Sequence, residues 1–397
     1  MNYLTKKTIK NVDVKGKRIL LRCDFNVPLD KLGNIANTKR IDESLDTINY
    51  LIDNDAKIIL CSHMGKPKSK FDKKLSLAPA AAYLSKVLKK DVKLAKDIVG
   101  SDAIETANSL NPGELCLLEN LRFEPGEEEN NDEFSQKLAS LAQLYVNDAF
   151  GTCHRAHAST VGVTRYLPSA CGFLIEKEIN AINKIVDNPR RPLIAILGGA
   201  KVSDKINVID YLLEKVDTII IGGGMSYTFM NALGYAVGNS ICESDKISFA
   251  KDMMAKAKEN DVRFVLPLDV EAADRYNSDA SHKTMDADKI PEGWMGLDIG
   301  PKTIKLFSEV ISDAGTVIWN GPMGVFEWKN YEKGTFEIAK ALSMSNAISI
   351  VGGGDSAAAI EKFGFSDKMT HISTGGGAFL KFLEGKELPG LEAIDEK

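Results

Sequence analysis

Ten short apolar runs, separated by amphipathic stretches, recur along almost the whole chain, and they limit its fold more than any other feature. The runs are Arg18–Cys23, Lys57–Ser62, Glu114–Glu119, Leu144–Asn147, Leu193–Leu197, Thr218–Ile221, Arg263–Leu266, Thr316–Trp319, Ile348–Val351 and His371–Ser373. Leu77–Leu88, Phe134–Ala142, Ile206–Leu213 and Ser248–Glu259 instead place apolar residues three and four apart, which predicts helices. Strands that are apolar on both faces and alternate with helices predict parallel sheets covered on both sides. At 397 residues the chain is long enough for two such domains. Leu174–Val186 reads as a helix, broken by Asn188-Pro189-Arg190-Arg191-Pro192, and the seam is expected there. The fold class is therefore α/β, with two doubly wound, Rossmann-like parallel sheets of four or five strands each.

Composition removes several alternatives. Hydrophobic residues make up 44% and charged residues 26%, as in an ordinary globular protein. No apolar stretch reaches the length of a membrane span, and the N-terminal residues show no secretory pattern. The six cysteines are scattered with no CxxC pair, which suits reduced core thiols in a cytoplasmic protein. Residues 1–100 hold 21 Lys+Arg against 11 Asp+Glu, and residues 101–150 hold 2 against 11. Lysines such as Lys68, Lys70, Lys73 and Lys74 read as solvated surface, as does the acidic run Glu127-Glu128-Glu129 with Asp132 and Glu133. A pI near 5.7 argues against nucleic-acid binding but leaves room for a compact anion.

The residues that follow the strands carry the chemistry, because ligands in open parallel sheets bind beyond the carboxyl ends of the strands. Arg22, Asp24, Phe25 and Asn26 end the first run, and His63, Met64, Gly65 and Lys66 the second. Arg122 follows the third, and His154 and Arg155 the fourth, with Arg40 further on before a helical pattern. Clustered arginines suit recognition of phosphate and carboxylate. Glycines take over in the second half, at Gly198-Gly199, Gly222-Gly223-Gly224, Gly352-Gly353-Gly354 and Gly375-Gly376-Gly377. Glycine between a strand and a helix lets backbone N–H groups reach an anion. Four such turns point to a polyphosphate ligand. Lys201 and Lys205 are four apart and would share one face of a helix. There is no GxxxxGK[ST] loop, and no HRD or DFG element. Gly352-x-Gly354-x-x-Ala357 fits a loose dinucleotide fingerprint, but the next strand ends in Thr374 rather than an acidic residue, which weakens a dehydrogenase reading. A non-catalytic two-domain binding clamp is the other rival.

Together the motifs LRCDFNVP (21–28), SHMGKP (62–67), ENLRFEPGEE (119–128), NDAFGTCHRAHAS (147–159), GGAKVSDKI (198–206), GWMGLDIGP (293–301), WNGPMGVFE (319–327), VGGGDSAAA (351–359) and STGGGA (373–378) resemble the phosphoglycerate kinase family, in its order and over nearly the whole chain. The resemblance implies reversible phosphoryl transfer from 1,3-bisphosphoglycerate to ADP, in two domains that face each other across a hinged cleft. Residues 1–173 with about 379–397 would bind the glycerate, 174–187 would form an interdomain helix, and 188–378 would bind Mg-nucleotide. Asp24 and Asn26 would hold the hydroxyl and carboxylate end of the substrate. Arg22, Arg40, His63, Arg122 and Arg155 would form a basic patch, with Arg40 nearest the transferring group. The turn residues Phe25, Met64, Gly65 and Lys66 would also line the glycerate. Lys201 and Lys205 would contact the nucleotide phosphates, and Arg40, Lys201, Lys205 and Gly376 are the catalytic candidates. Asp355 would hold magnesium, with Gly353, Gly354 and Ser356 binding phosphate. Glu327 would take the ribose, while Gly222, Gly223, Gly296, Leu297, Asn320 and Pro322 would border the nucleotide. A cytoplasmic monomer is the family expectation.

Two departures stand out. Lys66 replaces a common arginine and offers a point charge rather than a bidentate grip. Cys153, beside His154, reads as a small buried filler. Both possible nucleophiles, an ADP oxygen and a carboxylate, are ionised at neutral pH, so the reaction needs no general base. A motif set rich in cations and amides fits that chemistry.

Overall fold

β1 (Arg18–Arg22), β2 (Lys57–Cys61), β3 (Val92–Leu94), β4 (Leu115–Leu117), β5 (Leu144–Asn147) and β6 (Ser169–Cys171) form one six-stranded sheet in the order β3-β4-β2-β1-β5-β6. Every pairing in it is parallel. The computed structural model describes residues 3–67, 71–186 and 189–397, so Lys68, Lys70 and Asn188 lie outside the described residues. β1 and β2 are buried at every position after the first. That is why they carry no polar alternation. Their flanking helices, including Leu45–Asp53 and Ala78–Leu88, lay Ile48, Leu51, Ala80 and Leu84 on one face of the sheet.

β7 (Leu193–Leu197), β8 (Thr218–Ile221), β9 (Ala236–Val237), β10 (Arg263–Val265), β11 (Asp269–Ala273), β12 (His282–Asp286), β13 (Lys289–Ile290), β14 (Met295–Ile299), β15 (Thr316–Asn320), β16 (Ile348–Gly352) and β17 (His371–Ile372) follow. Six of them make a second parallel sheet, β10-β8-β7-β15-β16-β17. β7 and β15 are buried throughout. Phe307, Val310 and Ile311 of the helix Pro301–Ser312 pack on this sheet with Trp319. In both sheets the first strand sits inside and the order reverses beside it, between β1 and β5 and between β7 and β15. Such reversals open a crevice at the carboxyl ends of the strands.

The chain divides into two compact units, Met1–Asn183 with Glu387–Lys397, and Lys184–Lys386. The C-terminal segment is tied within the first unit. Lys6 Nζ donates to the carbonyls of Glu392 and Ile394 at 2.8 and 2.9 Å and pairs with Glu396 at 2.7 Å. All ten expected strands form, but each sheet has six rather than four or five. The edge strands β3 and β6 are only three residues long, Val-Lys-Leu and Ser-Ala-Cys, and carry no β-branched run. A small antiparallel sheet, β12-β11-β14, was also invisible in the pattern. Its outer strand His282–Asp286 is almost wholly exposed and lacks the apolar signal of a buried strand.

Candidate functional site

In the first unit the expected residues gather where β1, β2 and β4 end. β1 closes on Arg22, which is only 1% exposed, so its charge needs partners. Nε donates to Ser159 Oγ at 2.9 Å, Nη1 donates to the Cys23 carbonyl, and Nη2 lies 3.2 Å from His63 Nδ1. Burial, reinforced by Arg22, Arg122, Arg40 and Arg155, holds His63 well below the ordinary histidine range, so the ring is neutral. Arg40 Nη1 pairs with Asp24 Oδ2 at 2.7 Å while its side chain stays partly open to solvent. Asn26 Oδ1 accepts from Gly65 N at 2.8 Å, and Arg122 Nη1 donates to Gly65 O at 2.6 Å. The Gly65 peptide is thereby clamped between the turns after β1 and β4. Burial lowers the Arg122 pKa, and Glu128, 3.2 Å from its Nε, offsets part of that. Arg155 Nε donates to His154 Nε2 at 3.1 Å, and its charge is felt at both His63 and Arg122.

Some expected residues have another setting. The side chains of Phe25 and Met64 belong to the hydrophobic core, so only their backbones face the turns. Lys66 is exposed. Cys153 is fully buried and its thiol is pushed well above the ordinary range by burial, as suits a filler. Glu127 overturns the reading of its acidic run: it is fully buried, whereas Glu128, Glu129, Asp132 and Glu133 are exposed. Its Oε1 accepts from Ser159 Oγ at 2.5 Å and its Oε2 from Ser159 N at 2.9 Å. Nothing in the spacing of three successive glutamates marks the one that turns inward.

In the second unit the site forms beyond β7, β15 and β16. The helical reading of Lys201 and Lys205 needs correction. Lys201 is extended and exposed, Val202–Lys205 is a 3-10 turn, and the α-helix begins only at Ile206. The two lysines therefore do not share an α-helical face. Lys205 turns inward, with Nζ donating to Asn320 Oδ1 and, at 3.3 Å, to Asn320 O. Burial pushes its pKa down to about 8, while Asp204 and Asp355 pull it up. Asn320 Nδ2 donates to Gly352 O at 2.8 Å, which joins the ends of β15 and β16 behind the lysine. Gly353 precedes the helix Gly354–Lys362 at φ +96°, where a side chain would be strained. A Cβ on Gly376, which opens the helix Gly376–Leu383, would lie 3.7 Å from Gly353 Cα and Gly354 N. Two helix N-termini thus adjoin. Ser356 is fully buried and its Oγ accepts from Gly321 N at 2.6 Å, so its hydroxyl braces the β15 turn.

Beside these groups lies a pocket of about 210 Å³, walled by Gly199, Gly223, Gly296, Leu297, Pro322 and Glu327, with Asp355 also lining it. Tyr227, Ile241, Tyr276, Met295, Met323 and Val325 add apolar walls, and none of these was legible in the sequence. Met295, Gly296 and Leu297 stand on β14 of the unforeseen antiparallel sheet. Gly222, Asn320, Gly353, Gly354 and Ser356 do not line the pocket. A Cβ on Gly222 would come within 2.5 Å of Met323 Sδ, so that glycine serves packing. Among the described residues no group of three or more His, Cys, Asp or Glu could cage a metal. The exposed Asp355 carboxylate, alone at a helix start, fits a hard cation that takes its other ligands from phosphate and water.

A family profile described as phosphoglycerate kinase matches residues 9–386. The chain belongs to the phosphoglycerate kinase family. It is 56% identical to phosphoglycerate kinase of Clostridium botulinum (strain Loch Maree / Type A3) over 400 residues, covering 100% of each chain. It is also 56% identical to that of Clostridium kluyveri (strain ATCC 8527) over 395 residues, covering 99% of each. The solved structure of phosphoglycerate kinase from Coxiella burnetii superposes with a TM-score of 0.90 at 42% identity, over 98% of both chains. The corresponding figures for the Pyrococcus horikoshii OT3 enzyme are 0.85, 34% and 98%. The protein thus has phosphoglycerate kinase activity: it is an ATP-binding glycolytic phosphotransferase with a carboxyl group as acceptor, from a family that uses Mg-nucleotide. Among the described residues no helix is long and apolar enough to cross a membrane.

Proposed function

We propose that the phosphoglycerate kinase reaction runs on two half-sites, glycerate on the first unit and Mg-nucleotide on the second, with no general base. Asp24 and Asn26 bind the hydroxyl and carboxylate end of the glycerate. Arg22, Arg40, His63, Arg122 and Arg155 surround its acidic groups, with Lys66 adding charge from the exposed turn. Glu327 takes the ribose, and Gly223, Gly296, Leu297 and Pro322 border the adenine. Lys201 and Lys205 contact the nucleotide phosphates, while the backbone at Gly353, Gly354, Ser356 and Gly376 offers N–H donors. Asp355 holds magnesium, which when bound neutralises phosphate charge and orients the reacting oxygens.

The observation that carries this reading is the meeting of two glycine-opened helix N-termini beside an inward-turned lysine. Such a place stabilises charge on the equatorial oxygens of a phosphoryl group in flight. Because the two half-sites belong to different units, transfer follows a conformational step that completes the catalytic constellation. The same reading makes the enzyme a cytoplasmic monomer, and sedimentation of the active species checks the monomer.

The test couples 3-phosphoglycerate and Mg-ATP to glyceraldehyde-3-phosphate dehydrogenase and follows NADH. Turnover should require both substrates and magnesium and should fall at least about 100-fold in Lys201→Ala. Undiminished turnover in that variant would remove Lys201 from the reaction.

A further inference from the structure

The buried chain that runs behind the basic patch, from Glu127 through Ser159 and Arg22 to His63, has a direction that chemistry dictates. A guanidinium carries five N–H donors and no acceptor. Arg22 Nε therefore donates to Ser159 Oγ at 2.9 Å, and the single hydroxyl proton of Ser159 goes to Glu127 Oε1 at 2.5 Å when that carboxyl is ionised, a state that burial opposes and the Arg22 charge favours. At the other end Arg22 Nη2, 3.2 Å from His63 Nδ1, can only donate to it. A ring nitrogen that accepts carries no proton, so the proton of the neutral imidazole sits on Nε2.

The surroundings keep this chain intact. Glu127 and Ser159 are fully buried, and Arg22 nearly so. Ser159 N also donates to Glu127 Oε2 at 2.9 Å, so the carboxylate holds the serine by both backbone and side chain. His157 Nδ1 lies 3.8 Å from Glu127 Oε1, but burial pushes His157 down to about 4, so near neutral pH it brings no competing charge.

We propose that Glu127 and Ser159 are positioning residues that pin Arg22 so that it fixes His63 as the Nε2–H tautomer, making His63 a hydrogen-bond donor to the glycerate. The inference rests on the assignment of His63 to the glycerate half-site. It explains why a carboxylate is buried beneath a patch of cations. Without it Arg22 could turn away, and His63 could hold its proton on Nδ1 and present an acceptor to an anionic substrate.

The experiment is long-range ¹H–¹⁵N spectroscopy of the histidine rings in the full-length enzyme, with the His63 signal identified by its absence in His63→Gln. The unaltered protein should show a protonated Nε2 and a bare Nδ1 at His63. An Nδ1–H pattern there overturns the proposal whatever the variants do. Ser159→Ala should mix the tautomers and raise KM for 3-phosphoglycerate about 5- to 20-fold, with KM for Mg-ATP within about twofold, while Ser159→Thr should restore both. A folded Ser159→Ala with an unchanged His63 pattern overturns it, as does an equal rise in both KM values. If Ser159→Ala does not fold, Glu127→Gln is read in the same way. An unchanged 3-phosphoglycerate KM in His63→Gln overturns the glycerate assignment itself, a failure the spectra do not register, so the two are told apart.

Discussion

Buried ionisable side chains in the first unit pull its acid–base behaviour in opposite directions. His157 is pushed down to about 4 by burial, with Arg22 adding to the effect. Between its ordinary value near 6.5 and 4, the unfolded chain binds a proton that the folded chain refuses. The stability conferred by neutral His157 is therefore complete above about pH 6.5 and drains away as the pH falls toward 4. His157→Gln should remove up to about 1.4 kcal/mol per pH unit from that acid-side slope, as read by urea unfolding at stepped pH. Asp148 acts with the opposite sign. Its carboxyl, fully buried beneath the N-terminus of the helix Phe173–Val186, accepts from Leu174 N at 2.9 Å, and burial raises it to about 7. Its contribution is complete below about pH 4 and is lost as the pH rises through 7. Asp148→Asn keeps an acceptor for Leu174 and should flatten the decline between pH 4 and 7; an unaltered decline would mean that Asp148 does not titrate there. Neither titration was legible in the sequence, because a single Asp or His carries no mark of its burial.

At the scale of elements, the strand–turn–helix units explain most of what could be read in advance. A strand buried on both faces needs an unbroken apolar run, and the turn after it needs residues that can approach a neighbour closely. Gly223 meets that need after β8, at φ +63° with Gly199 N and O only 2.7 Å from where a Cβ would stand. Gly223→Ala should cost about 1–3 kcal/mol, because backbone rather than a flexible side chain would have to move; the urea midpoint of the second unit's transition reports it. Asn320 at the end of β15 joins Lys205 to Gly352. Asn320→Ala should leave Lys205 unanchored and raise KM for Mg-ATP about tenfold, on the order of one charge-assisted hydrogen bond, with KM for 3-phosphoglycerate unchanged. A parallel rise in both would make Asn320 structural rather than local to the nucleotide. The antiparallel sheet carrying Gly296 and Leu297 escaped the pattern because its exposed strand pairs through backbone, to which residue type is nearly blind.

For the molecule as a whole, the proposed division of labour between units has a sharp kinetic consequence. Arg40 belongs to the first unit and the nucleotide pocket to the second. Arg40→Ala should lower kcat by on the order of 10²–10³ while Kd for Mg-ADP, measured by calorimetry without glycerate, stays within about twofold. A comparable loss of nucleotide affinity would contradict the assignment of Arg40 to the glycerate half-site. Lys66→Arg probes the same half-site in the other direction and should lower KM for 3-phosphoglycerate about two- to fivefold by restoring a bidentate donor.

The α/β class, the ten principal strands and the family are written in the chain, because apolar runs and strand-end motifs are local and survive as strings of residues. The sequence also determined where chemistry could gather, since the carboxyl ends of parallel strands are ordered along the chain. Tertiary structure alone decided which glutamate of an acidic run turns inward to Ser159, that Lys205 leans on Asn320 while Lys201 stays exposed, and which side chains wall the nucleotide pocket. Burial and hydrogen bonding depend on residues far apart in sequence, and Glu127 is linked to Arg22 through Ser159 only because the fold brings their three segments together.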